Sequence, residues 1–544
     1  VTLLPALAGW VIGMLFAFHP MILSHFAAIQ GDWADARLTN YILEHGYRWL
    51  MHAPGHERFW SPPVFFPAPN TAAYSDVLLG VAPFYWPWRA LGIAADTSFQ
   101  LWTLTIATAN YLAALALFAR GFRCRPLAAA AGAALFCFGS IRNAQLIHPQ
   151  LEPQFYLAIA VLALVRLFES DVDPQQPEGA RMRDDVWIGV LALACVGQLY
   201  TSYYNAWFLF FAIALASLWC VLGGRSRRHL GALLRAHLGT LCAAAALSAL
   251  IIFPLVMHYL QASRQVGMRS FQTVEPMLPR PQSWAYMGPG NWLYGALASR
   301  HLFQVIPVEH EQRLGTGVVT ALVAIAGLWG ARRRTMVRVV TLVPVAMALL
   351  ATKWPGGFTA WHGVDATVPG AAEMRAVSRI GIVIVLPIAL GVAMAVDRLA
   401  GAATSGSRWT RDRIARGIGI ALALGIIALE QGQRLPTYDK HLARERTARV
   451  AREVGPECSA FLSTIIGGTE DPWRYHVDAM WASMARGVPT LNGYSGNQPP
   501  GWPFYPVNIQ PGDSTLAPMT AALRRWTTRW RLDPTTICLL RVAP

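Results

Sequence analysis

The sequence predicts a mainly α-helical, polytopic membrane bundle of about 11 spans, closed by a small α/β domain. Three observations carry that reading. Of 544 residues, 54% are hydrophobic and only 14% charged, with a mean hydropathy of +0.35, whereas soluble proteins carry roughly a quarter charged residues. Apolar runs long enough to cross a bilayer recur throughout residues 1–431. Beyond residue 431 the chain turns polar, and helix-like and strand-like stretches alternate.

Candidate spans of roughly 17–25 residues fall at 2–19, 98–119, 127–143, 153–168, 185–200, 203–222, 233–257, 315–331, 336–352, 378–398 and 415–431. Segment 74–92 is apolar but is broken by Pro83 and Pro87 and contains Arg89. Loop charge resolves it. Arginine-rich connections occur at Arg120/Arg123/Arg125, Arg225/Arg227/Arg228, Arg332/Arg333/Arg334 and Arg408/Arg411/Arg413/Arg416. The positive-inside rule places all four in the cytoplasm only if 74–92 does not cross; loop 169–184 then also lies inside, where its acidic balance fits least well. The N-terminus is then cytoplasmic, and residues 19–97, 144–152, 200–204, 258–314, 353–377 and 432–544 face outward. The expected location is the bacterial inner membrane, multi-pass, with the C-terminal domain outside.

The formal net charge is +15, and Lys353 and Lys440 are the only lysines. Arginine and alanine richness has the look of a GC-rich genome, so a lone arginine is weak evidence of phosphate binding. Excess basic charge on such a chain belongs to cytoplasmic loops, and nucleic acid is not an expected partner. The N-terminus has neither a basic head nor a cleavage site, so no cleavable signal is expected.

Residues 432–544 read as a soluble domain, with helices at 440–454, 474–486 and 515–530 and strands at 458–464, 488–491 and 536–542. A turn-rich, aromatic loop, Asn492 to Trp502, lies among them. Cys458 and Cys538 open strand-like runs and form a disulfide candidate in an oxidising compartment. Cys124, Cys137, Cys195, Cys220 and Cys242 lie in or beside apolar segments and read as small core residues.

Four clusters carry candidate chemistry. Asp32 and Asp35 follow the first span, three residues apart, so both carboxylates can face one side of a helix starting there. Asp32 reads as general base or metal ligand with Asp35 in support; the alternative is an N-cap. His148 and Glu152 follow the third span in a Pro149/Pro153 turn, where His148 can shuttle a proton, bind phosphate or ligate a metal, and Glu152 can assist. Tyr200 to Asn205 is a polar break in which Tyr203 and Asn205 either line a substrate groove or satisfy the interface. Arg375 and Arg379, four apart, would share a helix face as a phosphate clamp, or anchor headgroups. Glu309 and Glu311 are a weaker pair of possible ligands.

The order of these parts resembles the GT-C superfamily of integral-membrane glycosyltransferases, which includes oligosaccharyltransferases, protein mannosyltransferases and bacterial lipid-linked-sugar transferases of the YfhO type. The resemblance covers roughly residues 1–430. It rests on an outer loop opening at Asp32, the basic turn Arg120 to Arg125, the outer motif His148 to Glu152, the Tyr200 to Asn205 hairpin and the late arginines. It implies that Asp32 is catalytic base or metal ligand and that Arg375 or Arg379 meets the lipid phosphate. A divalent cation, magnesium or manganese, would then be held by Asp32, His148 and Glu152. The implied reaction moves sugar from a polyprenyl-phosphate or polyprenyl-diphosphate donor to an envelope acceptor, inverting at the anomeric carbon, with His148 and both arginines meeting the charge on the departing phosphate. A transporter or flippase is the competing reading, disfavoured because the spans are nearly free of mid-membrane charge. A third is a non-catalytic scaffold whose C-terminal domain binds an envelope partner.

Overall fold

The computed structural model describes residues 3–170, 178–267, 269–404, 411–509 and 517–543. All eleven apolar segments form helices, but among the described residues eight are long and apolar enough to span, or nine if Thr335–Ala351 and Pro355–Thr367, which meet at 90°, form one bent span. The expected eleven is therefore not confirmed. Helix Val318–Ala331 has 14 residues. Helix Glu178–Leu199 opens on Arg181, Arg183, Asp184 and Asp185, which shortens its apolar stretch. Segment 74–92 forms only short turns, Thr71–Tyr74, Ala82–Phe84 and Trp86–Ala90, none long enough to cross. Residues 171–177, within the predicted acidic loop, and Arg408 lie outside the described residues.

The protein is a multi-pass membrane protein. Its bundle core is lined by small side chains, among them Ala114, Ala128, Ala133, Ala158, Ala389 and Ala393, interleaved with Phe118, Phe136 and Leu390. Small residues let helices approach where lipid offers no hydrophobic gradient to drive them together.

The C-terminal elements are Lys440–Glu453, Ala460–Ile466, Pro472–Arg486, Asn508–Ile509, Ala517–Trp530 and Ile537–Val542. Ala460–Ile466 is the central strand of a parallel sheet, flanked by Asn508–Ile509 and Ile537–Val542. The predicted strand at 488–491 is reduced to one bridge, Phe461 to Thr490, and the chain there also pairs with residues 63–66 of the loop after the first span. Phe65 N–H donates to Asn492 O (2.9 Å), Phe66 N–H to Thr490 O (3.0 Å) and Thr490 N–H to Pro63 O (3.0 Å).

Two further contacts tie the first outer loop to this domain. Ala28–Gln30 pairs antiparallel with Thr437–Asp439. Arg37 forms a buried ion pair with Asp478, whose other oxygen accepts from Arg446 Nε at 2.8 Å. Helix Asp35–Leu50 is buried on two sides. Leu38 and Tyr41 pack with Met480, Leu491 and Phe504, while Ala36 and Leu43 pack with Leu78, Val81 and Trp102.

Cys458 and Cys538 are disulfide-bonded, which closes a long loop and so restricts the unfolded chain. Intact-mass spectrometry under non-reducing conditions is expected to find the protein lighter by two hydrogens than after reduction; two free thiols would contradict the bridge.

Candidate active site

Gly31 sets the approach to the acidic pair. Its φ is +117°, and a Cβ there would meet Ala36 Cβ at 2.7 Å, so the chain turns sharply before Asp32 only because no side chain is present. Helix Asp35–Leu50 starts three residues later with Ala34 as a cap that makes no side-chain bond. Asp32 Oδ1 accepts from Ala36 N–H at 3.2 Å, so Asp32 satisfies one orphan donor of the first turn from outside it.

The two carboxylates differ in what surrounds them. Asp35 Oδ2 accepts from His148 Nδ1 at 2.5 Å and Oδ1 accepts from the Tyr494 hydroxyl at 2.7 Å. Burial pushes the Asp35 carboxyl up, but the hydrogen bond and charge of His148, with Tyr494 and Arg379, outweigh it and hold it at about 2. Asp32 is half-buried and has no ion pair among the described residues. Burial, reinforced by the negative Asp35 beside it, lifts Asp32 to about 6. Two interacting carboxylates pushed apart in this way divide acid–base roles between them.

Behind Asp35 the charges alternate. Arg379 grips Glu311 bidentately, Nε to Oε2 at 3.1 Å and Nη2 to Oε1 at 2.7 Å. His148 Nε2 lies 3.1 Å from Glu311 Oε1 and 3.0 Å from Arg379 Nη2. Burial and the neighbouring Arg379 push His148 down, while Glu311 and Asp35 prevail and raise it to about 9, with Nδ1 facing Asp35. Glu311 is 2% and Arg379 7% exposed, and the Arg379 guanidinium lies 4.9 Å from the Tyr204 ring centroid, a cation–π contact. The Tyr204 hydroxyl accepts from the N–H groups of Arg375 and Ala376, both at 3.0 Å.

Asp32, Asp35, His148 and Arg379, singled out in the sequence, thus converge. Others do not. Arg375 and Arg379 share no helix face, because the helix begins only at Gly381 and residues 377–380 form a 3-10 turn. Arg379 is buried on Glu311, whereas Arg375 is exposed with no side-chain partner among the described residues. The expected two-arginine clamp is corrected to one free guanidinium. Tyr203 and Asn205 hold backbone instead of lining a substrate groove: the Tyr203 hydroxyl donates to Gly370 O (2.8 Å) and Asn205 Nδ2 to Leu151 O (3.0 Å).

Glu152 is buried beside Arg142, on the far side of the turn Pro149–Leu151 from the acidic pair. Asp32, His148 and Glu152 accordingly do not bring their ligand atoms together; among the described residues only Glu457, Cys458 and Cys538 do, and those cysteines are bridged. Both His148 nitrogens are already engaged, Nδ1 by Asp35 and Nε2 by Glu311 and Arg379. The residues present do not fit the expected divalent cation.

Residues missed in the sequence supply half of the site. Glu311 had been singled out only as a weak ligand, and Tyr494 only as part of an aromatic loop. Gly493 allows that loop in: a Cβ there would meet the Phe65 ring at 2.4 Å. Asp76 carried no motif at all. It accepts from Tyr203 N–H at 2.7 Å, and burial raises it to about 6.

No family model and no curated protein matches the chain. Solved structures of similar fold include the arabinofuranosyltransferase AftD from Mycobacteria, at 15% identity and a TM-score of 0.46, over 85% of this chain and 29% of that one. They also include the archaeal oligosaccharyltransferase AglB from Archaeoglobus fulgidus, at 11% identity and 0.45, over 90% and 64%. ArnT from Cupriavidus metallidurans is similar at 11% identity and 0.39, over 90% and 88%. The chain therefore spans under a third of AftD and just under two thirds of AglB.

Proposed function

We propose that this protein is a membrane glycosyltransferase that moves a sugar from a polyprenyl-phosphate-linked donor to an acceptor on the outer side of the bacterial inner membrane, with Asp32 as general base. The observation that carries the reading is the asymmetry of the acidic pair. Asp35 is fixed and ionised by His148 and Tyr494, while Asp32 is left without an ion pair and lifted to about 6. A base with that affinity gives up and regains a proton readily near neutral pH.

In the proposed step the acceptor hydroxyl attacks the anomeric carbon from the face opposite the phosphate. Its proton goes to Asp32, the new C–O bond forms, and the old one breaks with its electron pair passing to the phosphate oxygen. Arg375, exposed and uncommitted, meets the charge that develops there. His148 and Arg379 act one layer back, as positioning residues that keep Asp35 negative. No step is routed through a metal.

The lipid part of the donor has a fitting place. An apolar groove with about 970 Å³ of open space is lined by Leu157, Phe208, Leu209, Val343, Val383 and Leu386, among others. Phe208 lies one helical turn beyond Tyr204, and Val383 four residues beyond Arg379, so the groove begins just below the charged cluster. An isoprenoid tail in it would place its phosphate near Arg375.

Asp32→Asn is expected to abolish transfer in a membrane assay while leaving expression and thermal stability intact; full activity would sink the assignment. Because the base works ionised, the rate should rise as pH passes through about 6. It should fall as His148 loses its proton near 9 and Asp35 loses its partner charge. A rate profile flat from pH 5 to pH 10 would contradict this (the range is set at about one unit beyond each value). Arg375→Ala should raise the donor KM about tenfold, the weight of one charge-assisted hydrogen bond. The melting temperature should not move, since the side chain makes no hydrogen bond or ion pair among the described residues; an unchanged KM would remove Arg375 from the phosphate site.

A further inference from the structure

The acidic pair sits in a ring of aromatic and arginine side chains, half of it supplied by the C-terminal domain. Trp33 follows Asp32 directly. The Arg474 guanidinium lies 6.0 Å from the Trp33 ring centroid and 5.1 Å from that of Trp473, so it stands between the two indoles. Trp473 is 6.1 Å from Tyr494, ring centroid to centroid, with the planes 37° apart. Tyr494 returns to Asp35 through its hydroxyl. The circuit Asp32, Trp33, Arg474, Trp473, Tyr494, Asp35 is closed.

Its indoles are unlike those that pack the domain. Trp481, Trp502 and Trp526 each donate their N–H to a backbone carbonyl, of Arg37, Leu491 and Phe66 respectively. Trp33 and Trp473 are half-buried, their N–H groups have no partner among the described residues, and neither N–H is buried. Trp33 rests on Tyr438 at 5.2 Å and on the guanidiniums of Arg37 and Arg446 at 5.7 and 5.5 Å. It is thus held rigidly while its edge stays open. Fixed aromatic surface with unused N–H donors suits a ligand that has both apolar C–H faces and many hydroxyl acceptors.

We propose that this ring is the acceptor platform and that the acceptor is a saccharide. Pyranose and furanose rings present C–H patches to Trp33, Trp473 and Tyr494 and hydroxyls to the two indole N–H groups and Arg474. One hydroxyl of a ring seated there points at Asp32. The proposal rests on the transferase reading above and names its acceptor class. It also gives the C-terminal domain a direct part in recognition, since Trp473, Arg474 and Tyr494 all belong to it.

The test is ligand-observed saturation-transfer NMR on the full chain in lipid nanodiscs free of glycoside detergent, irradiating aromatic protons. The probes are methyl pyranosides and methyl furanosides of the common hexoses and pentoses, with a serine- and asparagine-bearing peptide as comparator. At least one glycoside should receive saturation on one ring face, at least threefold more than the peptide. W473A should cut that signal at least threefold, and W473F, which keeps an aromatic face, should restore most of it. No glycoside signal, a signal indifferent to W473A, or a stronger signal on the peptide would each overturn the proposal. Thermal unfolding of W473A checks that the domain is folded; if it is not, W33F, which removes the indole N–H and trims the bicycle to one ring, serves instead and should weaken the signal about twofold, an unchanged signal overturning the proposal. Because the readout is binding, it fails separately from the chemistry. Lost turnover in D32N without glycoside binding would sink the platform alone, and glycoside binding with a fully active D32N would sink the base alone.

Discussion

Everything at the site depends on one buried line of alternating charge: Asp35, His148, Glu311, Arg379. Burial penalises the ionised forms of Asp35, His148 and Glu311, and an uncompensated buried ion costs several kcal/mol. These three therefore owe their charge to their neighbours, with the Arg379 guanidinium as the permanent positive charge among them. The line joins the helix after the first span, the turn between the third and fourth, a loop before Val318–Ala331 and the turn opening Gly381–Thr404. Removing one member leaves the next uncompensated, which is more disruptive than never having built the pair. The line so fixes the mutual placement of four segments far apart in sequence.

That constraint acts three residues away. Asp35 is held negative by the line, so its field falls on Asp32. Asp32 is raised first by its own burial and then by that pinned neighbour, so part of its proton affinity comes from a network it does not join.

Much of the architecture was legible from pattern. The predicted helix 440–454 is Lys440–Glu453 and the predicted strand 536–542 is Ile537–Val542, because hydrophobic periodicity and turn residues act locally. Asp32 and His148 were legible because they follow apolar runs within a few residues. Glu311 and Tyr494 were not, since their partners lie 68 and 459 residues away and no local period encodes such a meeting. The arginine pair misled for a related reason: spacing of four implies one face only inside an α-helix, and the chain there is still a 3-10 turn. Eleven spans are not confirmed where an apolar run is shorter than a membrane or bent within it.

The short antiparallel pairing of Ala28–Gln30 with Thr437–Asp439 has a consequence for biosynthesis. It joins the chain just after its first span to the chain just after its last. A ribosome delivers these strands far apart in time, and contacts of such separation form slowly. The Tyr494 hydroxyl arrives later still. A nascent chain already in the bilayer therefore holds Asp35 without its tyrosine and Trp33 without its companions until the segment carrying Trp473 and Tyr494 has been made and has folded back.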